Sequence, residues 1–264
     1  MKLPIYQVDA FASKPFEGNP AAVCPLNKWL PDELMQKIAM ENNLSETAFF
    51  VEQDEDYRLR WFTPTTEVDL CGHATLASAH VLFEHLNYDQ QVIRFDSNSG
   101  KLKVRKEEGR LVMNFPAAAL NREEVPDFLV EAVGVPVQEL YRDTDYLYVV
   151  ESEEQVRSLD PDIRAMAKAD VRGIIVTAAA DRNDLDFVSR FFAPAAGVDE
   201  DPVTGSAHTM LTPYWSNQLG KQQLVGRQVS RRGGTVYCHD KEDRVEISGE
   251  ACTVMQGEFT ILWR

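Results

Sequence analysis

The sequence predicts an α+β fold of two pseudo-symmetric halves, each an antiparallel strand barrel or curved sheet wrapped around a central helix. Three observations carry the prediction: the chain repeats itself, both copies follow one order of strands and helices, and each copy holds a single strongly apolar helix flanked by strands. A shift of 130 residues lays Pro31-Asp32 on Pro161-Asp162, Thr47-Ala48 on Thr177-Ala178 and Arg60 on Arg190. It also lays Phe62 on Phe192, Pro64 on Pro194 and Val68-Asp69 on Val198-Asp199. The shift then becomes 133, with Gly72 on Gly205, Ala74 on Ala207, Ser97 on Ser230 and Gly100 on Gly233, as if three residues had been inserted near 200–202. The halves are 1–116 and 117–264, joined by a linker over about 114–128.

Each element follows from local chemistry. An opening strand (IYQVDAF; later VQELYRD) leads to a helix begun by proline (PDELMQKIAMEN; PDIRAMAKAD), where the missing N–H removes only an unpaired donor. Two strands come next (TAFFVE and RLRWFTP; GIIVTAAA and DFVSRFFAP). Glycine and small residues then open the apolar helix ATLASAHVLFEHL, whose counterpart SAHTMLTPYWSNQL carries Pro213, expected to kink it or delay its start. Each copy closes with alternating polar and apolar runs around EEGR and DKEDR, the pattern of antiparallel strands with charged turns. The linker holds a short helix, DFLVEAVG, ending at Gly134. No GxGxxG follows a strand, which excludes a dinucleotide-binding unit of that type.

Composition excludes other classes. Hydrophobic residues at 44% and charged residues at 26% are those of a globular protein, and no apolar run is long enough to span a membrane. The N-terminus lacks a leader pattern, so the expected compartment is the cytoplasm. A net charge of −15, with only a short basic run at 227–232, argues against nucleic acid. Cys24, Cys71, Cys238 and Cys252 form no CxxC pair and the five histidines have no zinc rhythm, so neither metal nor other cofactor is expected.

Differences between the copies point to chemistry. At the 130 shift Glu46 falls on Val176, placing a carboxylate beside Leu44, Ala48 and Phe49, where burial would raise its pKa towards neutral and suit it to proton transfer. The alternative is an acid that caps backbone N–H groups in a helix-to-strand loop. Asp201 lies in the inserted stretch, either as an Asp-Pro turn or as a second carboxylate of the site. LCGHAT and VTGSAH are matched helix openings, in which Gly72 and Gly205 leave backbone N–H groups free for an anion. His73 and Ser206 follow those glycines. Asn19, in GNP, is either a turn residue or a site residue.

VDAF, FEGNPAAV at 16–23, NLSETAFF, RWFTPTTEVDLCGHATLASAH and RFFAPAAGVDEDPVTGSAH together resemble the PhzF-like family of phenazine biosynthesis, within the diaminopimelate-epimerase-like fold. The resemblance runs nearly the whole length and implies two similar halves, each a strand barrel around a helix, with the site between them. By motif it implies Glu46 as the proton-transferring acid, His73, Asp201 and Ser206 as its helpers, and Asn19 in a loop facing the same site. It implies a cofactor-independent isomerase that moves a proton between carbons of a small carboxylate, dihydro-hydroxyanthranilate in the best-known case, in a homodimer. Related epimerases place a cysteine at each helix opening, whereas this chain has Cys71 at the first and Thr204 at the second. One-base chemistry by Glu46 is therefore the leading expectation. An epimerase or racemase using Cys71 or Asp201 as second base, and a non-catalytic small-molecule binding protein on the same scaffold, stay open.

Overall fold

The computed structural model describes residues 1–261. Two compact units emerge, Met1–Asn114 with Ser248–Arg264, and Phe115–Ile247. The first begins with β1 (Lys2–Ala10), β2 (Asn19–Leu26), α1 (Asp32–Asn42), β3 (Glu46–Gln53) and β4 (Asp56–Phe62). It continues through β5 (Glu67–Val68), α2 (Gly72–His85), β6 (Val92–Ser97), β7 (Gly100–Glu107) and β8 (Arg110–Pro116). The linker supplies β9 (Asn121–Arg122) and α3 (Asp127–Val133), which ends at Gly134 in the left-handed conformation.

The second unit repeats the order with β10 (Glu139–Arg142), β11 (Tyr146–Val149), α4 (Glu153–Arg157), α5 (Ile163–Met166), β12 (Ile174–Ala179) and β13 (Phe187–Ala193). Then come β14 (Val198–Asp201), α6 (His208–Leu219), β15 (Gln223–Gln228), β16 (Gly234–Asp240) and β17 (Arg244–Gly249). The last strand, β18 (Ala251–Thr260), pairs antiparallel along all of β1. Residues 248–264 therefore group with the first unit, where the sequence halves placed them in the second.

The strands are mixed rather than purely antiparallel. β2 pairs parallel with β3 and β4 with β6; in the second unit β11 pairs parallel with β12 and β13 with β15. Parallel neighbours need a crossover, and the helices supply it. α1 lies between β2 and β3, α2 between β4 and β6, α4 and α5 between β11 and β12, and α6 between β13 and β15. The repeat is thus a crossover pattern used twice.

α2 is buried at every position from His73 to Ala79 and packs on β1, β2, β3 and β18. A helix apolar around its whole circumference has to be enclosed. Its buried hydroxyls stay satisfied locally, Thr75 donating to the Cys71 carbonyl at 2.6 Å and Ser78 to that of Ala74 at 2.8 Å. On the first unit's other side, Leu34, Met35 and Ile38 of α1 pack with Phe49, Phe62, Leu3 and Ile5.

Two helices differ from expectation. PDIRAMAKAD forms only the single turn α5, capped by the Asp162 carboxylate on the Ala165 N–H, with α4 as an additional turn before it. α6 starts at His208, three residues beyond Gly205, whereas α2 starts on Gly72 itself. Pro213 sits inside α6, and the Thr209 carbonyl that its missing N–H leaves unpaired accepts from the Ala118 N–H at 3.1 Å. The Glu107–Arg110 connection is a two-residue turn with Glu108 and Gly109 both at positive φ, joining antiparallel β7 and β8 with the charged turn expected around EEGR.

Candidate active site

The first unit gathers four of the expected residues at the opening of α2. Glu46 is the first residue of β3, and its Oε2 lies 3.0 Å from Nε2 of His73. The Cys71 sulfur lies 3.5 Å from the other ring nitrogen, Nδ1, and the Asn19 side-chain amide is 3.3 Å from that same nitrogen. His73 and Cys71 are buried, while the Glu46 side chain keeps 17% of its surface exposed, enough to reach a ligand. Oε2 of Glu46 and Nε2 of His73 are both buried and stand at ion-pair distance without a hydrogen bond between them, and no residue among those described engages Oε1.

Local sequence explains this gathering. The loop before β2 is fixed by Asp9, whose buried carboxylate accepts the Phe16 N–H at 2.7 Å, and by Gly18 at φ 67°. A Cβ on Gly18 would lie 2.1 Å from the Ala10 carbonyl oxygen, so only glycine lets the chain turn here and deliver Asn19 opposite Ala10. At the end of β4, Arg60 grips both oxygens of Glu67 at 2.7 Å and anchors the segment that runs into α2. The first turn of α2 takes no side-chain cap, leaving the amides at Gly72 and His73 as the expected anion donors.

Burial works against a charged imidazole, but neighbouring Cys71 and Glu46 outweigh it and hold His73 well above its ordinary pKa. Burial, reinforced by Glu46, pushes the Cys71 thiol up against the opposing influence of His73. The charged imidazolium is therefore the favoured form of His73. The Asn19 amide offers an acceptor at one end and donors at the other, so it can follow either protonation state of Nδ1.

The second unit builds its counterpart at the opening of α6. The Asp201 carboxylate accepts from the Thr204 hydroxyl, and Gln228 spans the turn by accepting the Thr204 N–H at 2.8 Å and donating to the Asp201 carbonyl at 2.6 Å. Arg172 Nη2 donates to Ser206 Oγ at 3.0 Å. The same guanidinium donates through Nε at 2.9 Å and through Nη2 to the two oxygens of buried Asp145, and its carbon stands 5.5 Å from the Phe191 ring centroid. His208 gives Nδ1–H to the Thr204 carbonyl at 2.9 Å, as Thr75 does for Cys71, and burial lowers its pKa to about 4. It is a neutral structural histidine.

Strand register corrects two equivalences read from fixed shifts. Phe62 faces Thr47, and its counterpart Phe192 faces Ile174, so the position matching Glu46 is Gly173 and not Val176. The cause is a longer turn between β12 and β13, residues 180–186 against 54–55 in the first unit. Likewise Arg190 grips Glu200 as Arg60 grips Glu67, and Asp201 faces Phe191 as Val68 faces Trp61. Asp201 is therefore the counterpart of Val68, and the extra residues lie earlier, in the turn over 194–197. Arg172, Asp145 and Gln228 were not flagged from the sequence; the signal that could have found Arg172 is its place just before the glycine that replaces Glu46.

Glu46, Cys71 and His73 carry ligand atoms within 4.8 Å of one another. The acid and the thiol approach opposite nitrogens of one ring, and a single ion can take only one of those nitrogens. The arrangement suits a chain of proton donors and acceptors better than a metal centre.

Residues 8–257 match the family model described as phenazine biosynthesis-like protein. An uncharacterized isomerase of Pseudomonas aeruginosa is 53% identical over 257 residues, covering 97% of this chain and 98% of the relative. A crystal structure of a PhzF family protein from Enterococcus faecalis superposes with a TM-score of 0.96 at 46% identity, covering 99% of this chain and 100% of that one. A hydroxyproline epimerase from Agrobacterium vitis shares the fold at 9% identity, with a TM-score of 0.59 over 97% of this chain and 92% of its own.

Proposed function

The chain belongs to the phenazine biosynthesis-like family, and we propose that within it this protein is a cofactor-independent isomerase using Glu46 as its single base and acid. The observation that carries the reading is the Glu46–His73 pair, a carboxylate oxygen and a ring nitrogen buried 3.0 Å apart, with the other carboxylate oxygen engaged by no described residue. Glu46 takes a proton from an activated carbon of the substrate, and the electron pair spreads into the conjugated acid. The carboxyl group formed on Glu46 then returns the proton to a second carbon of the same delocalised anion. No electrons are exchanged with a cofactor. His73, beside the carboxylate, can share the proton during the transfer.

The substrate class proposed is a small carboxylate, dihydro-hydroxyanthranilate being the first candidate by family resemblance. The amides at Gly72 and His73 are proposed as carboxylate donors, with Asn19 holding His73 in place; in the second unit Asp201 is proposed as a catalytic helper and Gly205 and Ser206 as substrate-binding groups. All four cysteines are free, which supports a reducing compartment such as the cytoplasm. Among the described residues no helix is long and apolar enough to cross a membrane. An epimerase reading with Cys71 as second base draws on its place beside Nδ1 of His73, but a thiol whose pKa is pushed up is the weaker base of the two.

The test is solvent exchange. In heavy water, wild-type protein should wash deuterium into a carbon position of dihydro-hydroxyanthranilate or of another member of a panel of cyclic and amino carboxylates, as followed by NMR. Glu46→Gln should lose that exchange. Binding without exchange across the panel would instead make this a binding protein.

A further inference from the structure

At the α2 opening two ligand atoms approach opposite nitrogens of one imidazole, which suits proton chemistry. Farther along the same helix the arrangement is reversed, with two imidazoles aimed at one point. Nε2 of His80 lies 2.9 Å and Nε2 of His85 2.7 Å from the hydroxyl oxygen of Thr253, in β18. A hydroxyl has a single hydrogen to give. Thr253 therefore donates to one ring, and the other ring has to donate its own N–H to the same oxygen. Loss of that one ring proton would leave two nitrogen lone pairs and an oxygen converging on one place.

The three donors are held from both sides. α2 carries both rings, 6.0 Å apart between centroids, and the Tyr6 ring of β1 stands 4.8 Å from that of His85. The register of β18 against β1 steps from Met255 opposite Gln7 to Thr253 opposite Val8, which leaves Val254 as an extra residue. Such bulges re-aim the side chains beside them. His80, His85 and Thr253 are all half-buried, so an ion from solvent can reach them. Glu84, one turn on from His80, lies within electrostatic reach of both rings and favours a cation there. Lys106 of β7, which donates to Glu84 at 2.6 Å, opposes it. With these charges offsetting each other, the donor atoms decide what binds.

We propose that His80, His85 and Thr253 form a structural site for a divalent transition-metal ion of the zinc type, tying α2 to β18. Imidazole nitrogen is a preferred donor for such ions and a poor one for magnesium or calcium. With Zn–N bonds of about 2.0–2.1 Å, neighbouring donors of a tetrahedral shell stand about 3.3 Å apart. The observed spacings have to open by roughly half an ångström, and water completes the shell. Binding releases the shared ring proton to solvent, and nothing is oxidised or reduced. The site lies within the first unit, and His80 is two turns along α2 from His73, about 10 Å of rise, so the ion takes no part in proton transfer at Glu46. The sequence expectation of no metal followed from the lack of a close-spaced motif, which cannot register a donor 168 residues away from His85.

The experiment titrates Zn²⁺ into the full chain at neutral pH, following the histidine ring signals by NMR and unfolding by heat. One equivalent should shift the His80 and His85 rings, leave His73, His208 and His239 in place, and raise the unfolding midpoint, with Mg²⁺ doing neither. His80→Gln and His85→Gln should each weaken binding at least tenfold and abolish the rise in midpoint. Full binding retained in either variant would overturn the site. Should a variant fail to fold, the wild-type ring signals decide by themselves. Rings of His80 and His85 that stay unmoved at a tenfold excess of Zn²⁺ would overturn the proposal. Zn²⁺ that moves His73 in their place would do the same, and would assign the metal to the Glu46–Cys71–His73 cluster.

Discussion

The two helix openings share a scaffold and diverge in charge. Both place a glycine after a residue whose carbonyl is taken by the side chain four positions on, and both are anchored by an arginine gripping a glutamate. In the first, the residues around that glycine are Cys71, His73 and Glu46, all titratable side chains. In the second they are Thr204, Ser206 and Arg172, of which none titrates near neutrality. The two copies thus keep one backbone arrangement and carry different side chains on it. Where the first copy has Glu46 the second has Gly173, just before β12, at which a Cβ would lie 2.4 Å from the Phe191 ring.

The largest effect should come from Glu46→Gln, which removes the base while preserving shape. Exchange should fall by about 10²–10⁴-fold, the usual contribution of a positioned acid or base. Asp201→Asn, which alters the opposite opening, should cost less, and an equal loss would mean that both openings carry proton chemistry. His73→Gln should come next, with a loss of about 10–10²-fold measured by the same exchange assay. Its pH profile is more telling. Because His73 is held above its ordinary value, the wild-type rate should persist well past pH 6.5 and fall on the alkaline side as the imidazolium deprotonates. That limb should vanish in His73→Gln.

Gly173→Ala tests the steric half of the comparison. Pushing a Cβ into the Phe191 ring should destabilise the fold by about 1–3 kcal/mol in denaturant unfolding. A neutral result would show that a side chain fits there after all. The smallest effect is expected at Cys71. A neutral buried thiol beside His73 is dispensable for one-base chemistry, so Cys71→Ser should keep exchange within about tenfold of wild type. Abolished exchange, or a mirror-image product, would favour the two-base epimerase.

Much of this was legible in the sequence. Shared motifs reveal the duplication, and Glu46, His73 and Asn19, far apart in sequence, belong to stretches that proved to be one cluster. The expectation that Glu46 sits among apolar neighbours missed its actual partner, because the orientation of His73 depends on where α2 starts relative to β3. Arg172 stayed hidden for a different reason. A fixed shift between copies cannot register a turn lengthened in the second, so Glu46 was set against Val176, and the arginine beside Gly173 looked like an ordinary pre-strand residue. Asp201 was misassigned to an insertion for the same reason, although the matched Arg–Glu grips were present in both copies.

The central claim, that the first opening is a carboxylate–imidazolium pair, can be tested without knowing the substrate. The His73 ring would be titrated by NMR in wild type and in Glu46→Gln, with unfolding free energies measured across the same pH range. A group whose pKa is raised on folding contributes stability that is fully present below its unfolded value, about 6.5, and is lost as pH rises through the folded value. The account predicts that His73 titrates well above that value in wild type and moves back towards it in Glu46→Gln, with the stability gap between the two proteins closing at alkaline pH. A His73 that is already neutral in wild type at pH 7, and indifferent to Glu46→Gln, would contradict it.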